Sequence, residues 1–252
     1  MLTCVYQTDE IRQLILSAGE RSRMNDQRIF DRLSEYLWHR YGARVTFKDE
    51  SLFMRILGKL LFFNPGFMTY YITTIGRTIY FPNSDSIQEG SSWDVLAHES
   101  MHVRDYDESP YQFMLGYLFP QVLVGFSLFA IGGIWNHWFL LFLVFLLALL
   151  PLPAPFRKTA ERRGYLMSIC CDVIRYNDQY VQTFAYKKWL ADQFTGPGYY
   201  FMWPFRKQVE KDVNFDVAYA ICLVKGEFYN PLYSPTIQLV LAAGSTSSGS
   251  VK

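Results

Sequence analysis

Apolar residues recur at helical spacing between Thr8 and Tyr41, through Ile11, Leu14 and Ile15 and then Ile29, Leu33, Tyr36 and Leu37, and Gly42 supplies a stop. The pattern then shortens. Arg44 to Phe47 alternates as a strand does, and Leu52 to Phe63 returns to helical spacing before Asn64-Pro65-Gly66 ends it. Met68 to Thr74 and Arg77 to Phe81 are rich in β-branched and aromatic residues and flank Ile75-Gly76, the signature of a β-hairpin, which Pro82 and Asn83 close. Ser91 or Ser92 caps a helix from about Trp93 to Tyr106, with Asp94 at the positive end of its dipole. Farther on, Thr159 to Leu190 and Phe205 to Gly226 read as long helices parted by Gly196-Pro197-Gly198. The small polar residues from Gly244 to Lys252 read as a disordered tail.

One stretch follows neither the helical nor the strand alternation. From Ser109 to Phe156 there is no Asp, Glu, Lys or Arg, although charged residues are 19% of the chain. Phe113 to Ile134 is 22 residues long, roughly 33 Å as an α-helix, which is enough for a hydrocarbon core. Trp138 to Leu150 is shorter and stops at Pro151, Pro153 and Pro155, so it spans thinly or re-enters. Trp135-Asn136-His137-Trp138 suits a tight connection at a membrane interface, and the result is an apolar helical hairpin with both feet on one side. Arg104 before it and Arg157, Lys158, Arg162 and Arg163 after it place those feet at the cytoplasmic face by the positive-inside tendency. Pro120, Gln121 and the glycines in the run leave a buried core or an oligomer interface as the alternative.

These elements predict an α+β, mainly helical protein with a small sheet. At 252 residues and 50% hydrophobic content, a single domain interrupted by an insertion fits best. The expected divisions are 1–108, the hairpin 109–156, a helical half 157–243 and the tail 244–252. The 24 Lys and Arg nearly cancel the 23 Asp and Glu, so no field recruits nucleic acid. Cys4, Cys170, Cys171 and Cys222 form no CxxC pair, which suggests a reducing compartment. The N-terminus lacks the basic and apolar regions of a secretory signal, so it is expected to stay in the cytoplasm.

The chemistry concentrates in His98-Glu99-Ser100-Met101-His102. Residues four apart share a helix face, so His98 and His102 can present both imidazoles to one Zn2+ while Glu99 stands beside it as general base. Such an ion needs a third protein ligand and an open position. Glu108 and Glu161 are the candidates. A continuing helix carries Glu108 about 9 Å along the axis from His102, far from a shared ion. Asp105 follows His102 by three residues and is placed to hold its second ring nitrogen, or to be a solvated charge beside Arg104. His39 and His137 lie outside any ligand spacing.

The order of hairpin strand, HExxH helix, membrane-like insertion and later helix resembles the gluzincin group of metallopeptidases. More narrowly, His98 to Asp105, followed by Ala160-Glu161-Arg162-Arg163-Gly164-Tyr165, is similar to small metallopeptidase domains of bacteria and phages. Their first motif is HExxHVRQ-like and their second ExxAY-like. The similarity covers about Thr69 to Ile174 without the apolar hairpin, and departs at Asp105 and Gly164. It implies a zincin-like fold with Glu161 as third ligand, Glu99 as base, and Tyr165 steadying the ligand or an oxyanion, with packing in the core as the alternative for Tyr165.

Two functions are expected from this. One is a zinc metallopeptidase acting on a peptide or protein at the cytoplasmic face of a lipid membrane, with Thr78 to Phe81 as the edge strand that aligns substrate. The other is a structural or interaction protein, such as a virion or membrane-assembly component, that binds an assembly partner and retains the fold with little turnover.

Overall fold

A computed structural model describes residues 26–62, 64, 66–88, 92–199 and 201–245. The expectations for Thr8 to Asn25, Cys4, the Ser91 cap and residues 246–252 lie outside them. Helix α1 (Asp26–Tyr41) ends before Gly42 and leads to strand β1 (Arg44–Phe47) and helix α2 (Leu52–Leu60). Strands β2 (Thr73–Ile75) and β3 (Thr78–Phe81) follow, then the short α3 (Asp85–Gln88) and the motif helix α4 (Ser92–Glu108). The architecture is mainly helical with one three-stranded sheet, the α+β class expected.

The β2–β3 hairpin forms where Ile75-Gly76 predicted it, with Ile75 opposite Thr78. Gly76 adopts φ +62°, a region that costs a residue with a Cβ. Two expectations fail here. Met68 to Tyr70 is a turn, because the amides of Thr69 and Tyr70 bond the Gly66 carbonyl rather than a strand. And β3 is the central strand, in the order β1-β3-β2, with β1 parallel to it and β2 antiparallel. Thr78 to Phe81 therefore has no free edge; the hairpin partner β2 is an edge of the sheet. Ile79 and Phe81 point inward from β3 and are fully buried.

The apolar run is more broken than its composition suggests. Helix α5 (Pro110–Leu118) stops before Phe119-Pro120, where proline lacks an amide donor and crowds the preceding turn. The chain then bends by 79° into a 3-10 segment, Gln121–Ile134. A second 3-10 segment, His137–Leu149, returns beside the first, with Phe126 and Phe145 ring centroids 5.2 Å apart and Phe129 and Phe142 5.4 Å apart. The expected continuous helix Phe113 to Ile134 is thus replaced by a bent pair. No single helix among the described residues is long and apolar enough to cross a membrane. A 3-10 coil rises about 2.0 Å per residue, so 14 and 13 residues still extend roughly 28 and 26 Å. The Asn136 side chain accepts the Trp138 amide at the tip. Ala148 is the one buried residue of the two segments.

Pro155 begins helix α6 (Pro155–Arg175), a favoured first position because its missing amide would be unbonded anyway. The expected helix Thr159 to Leu190 is really three pieces: α6, α7 (Asp178–Gln182) and α8 (Phe184–Thr195). Asn177, at φ 142°, breaks it and caps the Tyr180 amide. Helices α9 (Arg206–Val224) and α10 (Ser234–Ser245) complete the fold, so the tail expected from Gly244 begins as helix. The core lies where α4 packs on α6 and α1, with α9 on α6 and α10 on α1. Arg175 crosses this junction, 3.5 Å from Asp26 and 3.6 Å from Asp94, with its guanidinium over the Trp93 ring. Of the basic residues at the hairpin's returning foot, Lys158 pairs with Asp212, Arg162 with Asp212 and Asp216, and Arg163 with Asp105.

Hairpin side chains such as Ile134 and Trp135, 80% and 82% exposed, create an apolar surface that water alone does not tolerate well. The full chain is expected to need detergent or lipid to stay dispersed, and a variant with a short polar link in place of Phe113 to Leu150 is expected to lose that need. A monodisperse full-length monomer in plain buffer, seen by light scattering, would contradict this.

Candidate metal centre

Helix α4 is buried on nearly every face through its middle, which places His98 and His102 inside the protein. Their partner comes from α6. Glu161 Oε2 lies 3.5 Å from His98 Nε2, and Glu161 Oε1 lies 3.7 Å from His102 Nε2. These separations are too long for hydrogen bonds. They approach the roughly 3.3 Å between two ligand atoms that share a tetrahedral ion about 2.05 Å away. All three ligand atoms lie within 4.8 Å of one another, and all three residues are buried. This group can hold a metal ion. Glu108 points elsewhere, bonded to Arg104 on the exposed end of α4.

The unbound atoms give an independent test of fit. Glu161 Oε2 and His102 Nδ1 are buried and have no hydrogen-bond partner among the described residues. A buried carboxylate oxygen left so is costly unless a cation completes it. Burial opposes the charge on Glu161, but His102, His98 and the Tyr117 hydroxyl outweigh it and hold the carboxyl down to about 2. Burial likewise opposes charge on His98, and Glu161 and Glu99 overcome it, raising the imidazole above its ordinary range. Two imidazoles and one carboxylate form a donor set that suits zinc and other divalent ions of similar size.

Neighbouring side chains orient the ligands. Ser168 Oγ is 3.1 Å from His98 Nδ1 and donates its own proton to the Gly164 carbonyl. Accepting from Nδ1–H, it leaves the Nε2 lone pair facing Glu161. The Tyr165 ring stands edge-on to His98 with centroids 5.0 Å apart and packs on Phe194 and Tyr199, so it backs this ligand from the core. Burial raises the Tyr165 phenol well above its ordinary range, with Tyr199 pulling the other way. Asp105 does not hold the His102 ring. Its carboxylate accepts two bonds from Arg163, at 2.7 and 3.1 Å, because that guanidinium offers a charged fork on the facing helix. This pair ties α4 to α6 next to the ligands.

Glu99 is 7% exposed and accepts a hydrogen bond of 2.7 Å from Thr74 Oγ1 on β2. Tyr117, from α5, donates to Glu161 Oε1, and its ring lies 5.9 Å from that of His102. Arg157 bonds both the Tyr117 carbonyl and the Gln121 side chain, pinning the two feet of the apolar hairpin beside the ligands. Lys48, just beyond β1, is fully buried and donates to the carbonyls of Phe67 and Tyr71 at 2.6 and 2.7 Å. Sequence reasoning identified His98, Glu99, His102 and Glu161 but missed Thr74, Tyr117, Ser168, Lys48 and the role of Gly164. For Gly164 and Ser168 a signal existed, since they follow Glu161 at helical spacing. None marked Tyr117.

Gly164 is required by close approach. A Cβ there would lie 2.5 Å from His98 Nε2 and 2.6 Å from its Cε1, inside contact distance. The glycine that departs from the ExxAY-like pattern is what lets this ring enter the site. No family model matches the chain, and no curated protein or solved structure matches it either.

Two outcomes follow from this arrangement. Gly164→Ala should weaken metal binding at least tenfold in a chelator-competition titration, although alanine favours helix by about 1 kcal/mol; unchanged affinity would mean that the ring has room to spare. The second concerns Lys48, whose ammonium burial lowers to about 8 while Glu99 partly supports it. An unfolded lysine titrates near 10.4, so the folded state binds fewer protons between the two values and gains stability as pH rises. Below about pH 8 the buried charge is a full penalty. Relative to Lys48→Met, the wild-type protein should become more stable between pH 8 and 10 in urea unfolding, and a constant difference would contradict this.

Proposed function

We propose that this chain is a zinc metallopeptidase of gluzincin type that hydrolyses peptide bonds at the cytoplasmic face of a membrane. The observation that carries the reading is Glu99 held beside the His98, His102 and Glu161 cluster. Metal storage or a purely structural ion needs the three ligands, but not a buried carboxylate next to them. The sheet beside the motif helix, and a third ligand on a later helix, also fit the resemblance.

Zinc bound by His98, His102 and Glu161 would polarise a substrate carbonyl and bring the pKa of a water molecule toward neutrality. Glu99 takes a proton from the attacking water and returns it to the leaving nitrogen. Thr74 fixes the Glu99 carboxylate through Oε2, leaving Oε1 for that proton. Edge strand β2, which carries Thr74, is the element on which an extended peptide can align. Ser168 and Tyr165 hold His98, while Tyr117 covers Glu161. The membrane assignment draws on the exposed apolar hairpin, and its orientation on Arg104, Arg157, Lys158, Arg162 and Arg163.

The same hairpin favours a second reading, a membrane-assembly or virion component that keeps the metal site without turnover. Glu99 separates the two. Glu99→Gln is expected to retain bound zinc and lose about 10²–10⁴-fold in hydrolysis of a fluorogenic peptide library. Equal cleavage by variant and wild type would remove Glu99 as the base. Metal binding without cleavage by the wild type would favour the assembly reading.

A further inference from the structure

Helix α2 buries a single residue, Met54. Its inner face is Met54 and Gly58, where a Cβ on Gly58 would meet the Met68 side chain at 2.8 Å. Leu52, Ile56 and Leu60, spaced four apart, line the opposite face, with Phe53 beside them. These four are 65%, 52%, 67% and 54% exposed. Between Ser51 and Phe62 the only charges are Arg55 and Lys59, which stand together along one border of that apolar face.

We infer that α2 is an in-plane membrane contact that lies on an anionic lipid surface, with Leu52, Phe53, Ile56 and Leu60 among the acyl chains and Arg55 and Lys59 at the headgroup phosphates. This rests on the membrane reading proposed for the apolar hairpin and adds a second attachment to it. The helix is too short to span, at 9 residues or about 14 Å, but an apolar face flanked by basic residues suits the interface. Both basic side chains have stems long enough to cover apolar surface while their charges remain in the headgroup layer. An acidic residue would oppose such a surface, and the helix has none.

The location matters for the site. The Lys48 ammonium, three residues before the Ser51 cap of α2, holds the carbonyls of Phe67 and Tyr71 on the turn that enters β2. Seating α2 therefore sets the turn before the Thr74 strand directly behind the lipid-contacting helix, since Met68 of that turn packs on Gly58.

The test uses full-length protein in vesicles of phosphatidylcholine and phosphatidylglycerol carrying bromine-labelled acyl chains. A genetically encoded fluorophore is placed at position 60 or, as a reference, at position 129 in the hairpin. Quenching is expected at both positions. Arg55→Glu with Lys59→Glu should weaken the seating equilibrium at position 60 by at least about thirtyfold, leaving position 129 and bound metal unchanged. Phosphatidylcholine alone should weaken position 60 in the same way. Quenching at 129 but not at 60 overturns the inference and leaves the hairpin reading intact. Quenching at 60 that ignores both charge reversal and lipid charge overturns the anionic contact. Cross-linking between copies through position 60, without quenching, assigns the face to a second copy of the chain. Quenching at neither position rejects the membrane reading itself.

Discussion

A carboxylate enclosed by protein pays a desolvation cost of several kcal/mol unless its surroundings supply compensating charge and donors. Glu161 is such a group, with its side chain 2% exposed and one oxygen lacking a hydrogen-bond partner among the described residues. The imidazoles of His98 and His102 and the hydroxyl of Tyr117 converge on it from two other helices. Holding that arrangement requires α4 and α6 to lie close, and Gly164 makes the approach feasible. Asp105 with Arg163 fastens the two helices, and Arg162 with Asp216 fastens α6 to α9. The large buried side chains Trp93, Tyr165 and Tyr186 fill the volume around them.

The sheet serves the same centre from the other side. Its few residues would be a weak structure in isolation, since short strands need a covered face. Parallel pairing of β1 with β3 allows Ile79 and Phe81 to enter the core while β2 remains at an edge. Thr74 on that edge reaches Glu99, so the base is fixed by an element other than the helix that carries it. A carboxylate anchored by two elements is better placed to keep its orientation through a proton transfer.

Much of this was legible in the chain because local rules govern it. The HExxH spacing fixes two ligands on one helix face whatever the rest of the fold does. Gly42, Ile75-Gly76 and the Arg206–Val224 helix follow equally local signals. Legibility fails where distant residues decide the outcome. The central place of β3 depends on β1, which lies more than thirty residues earlier and whose parallel pairing no turn announces. The sequence leaves Asp105 between the His102 ring and a solvated place beside Arg104, but the Arg163 guanidinium, from another helix, is its partner. Tyr117 sits in an apolar run with no mark of chemistry, and only the bend at Phe119-Pro120 and the return through Arg157 bring it to Glu161.

The Arg157 bracket also bears on how the chain finds its fold. The Asp105–Arg163 pair closes a loop of 58 residues, and the Tyr117–Arg157 contact spans 40 of them. If the apolar segments pair first, the remaining loop shortens roughly threefold, to about 20 residues, which lowers the entropy cost of closure by about 1 kcal/mol. The inserted hairpin, which separates the ligand helices by so much sequence, is thereby also the element that brings them within reach. A disordered linker of equal length would leave Glu161 to search a larger volume before meeting the two histidines.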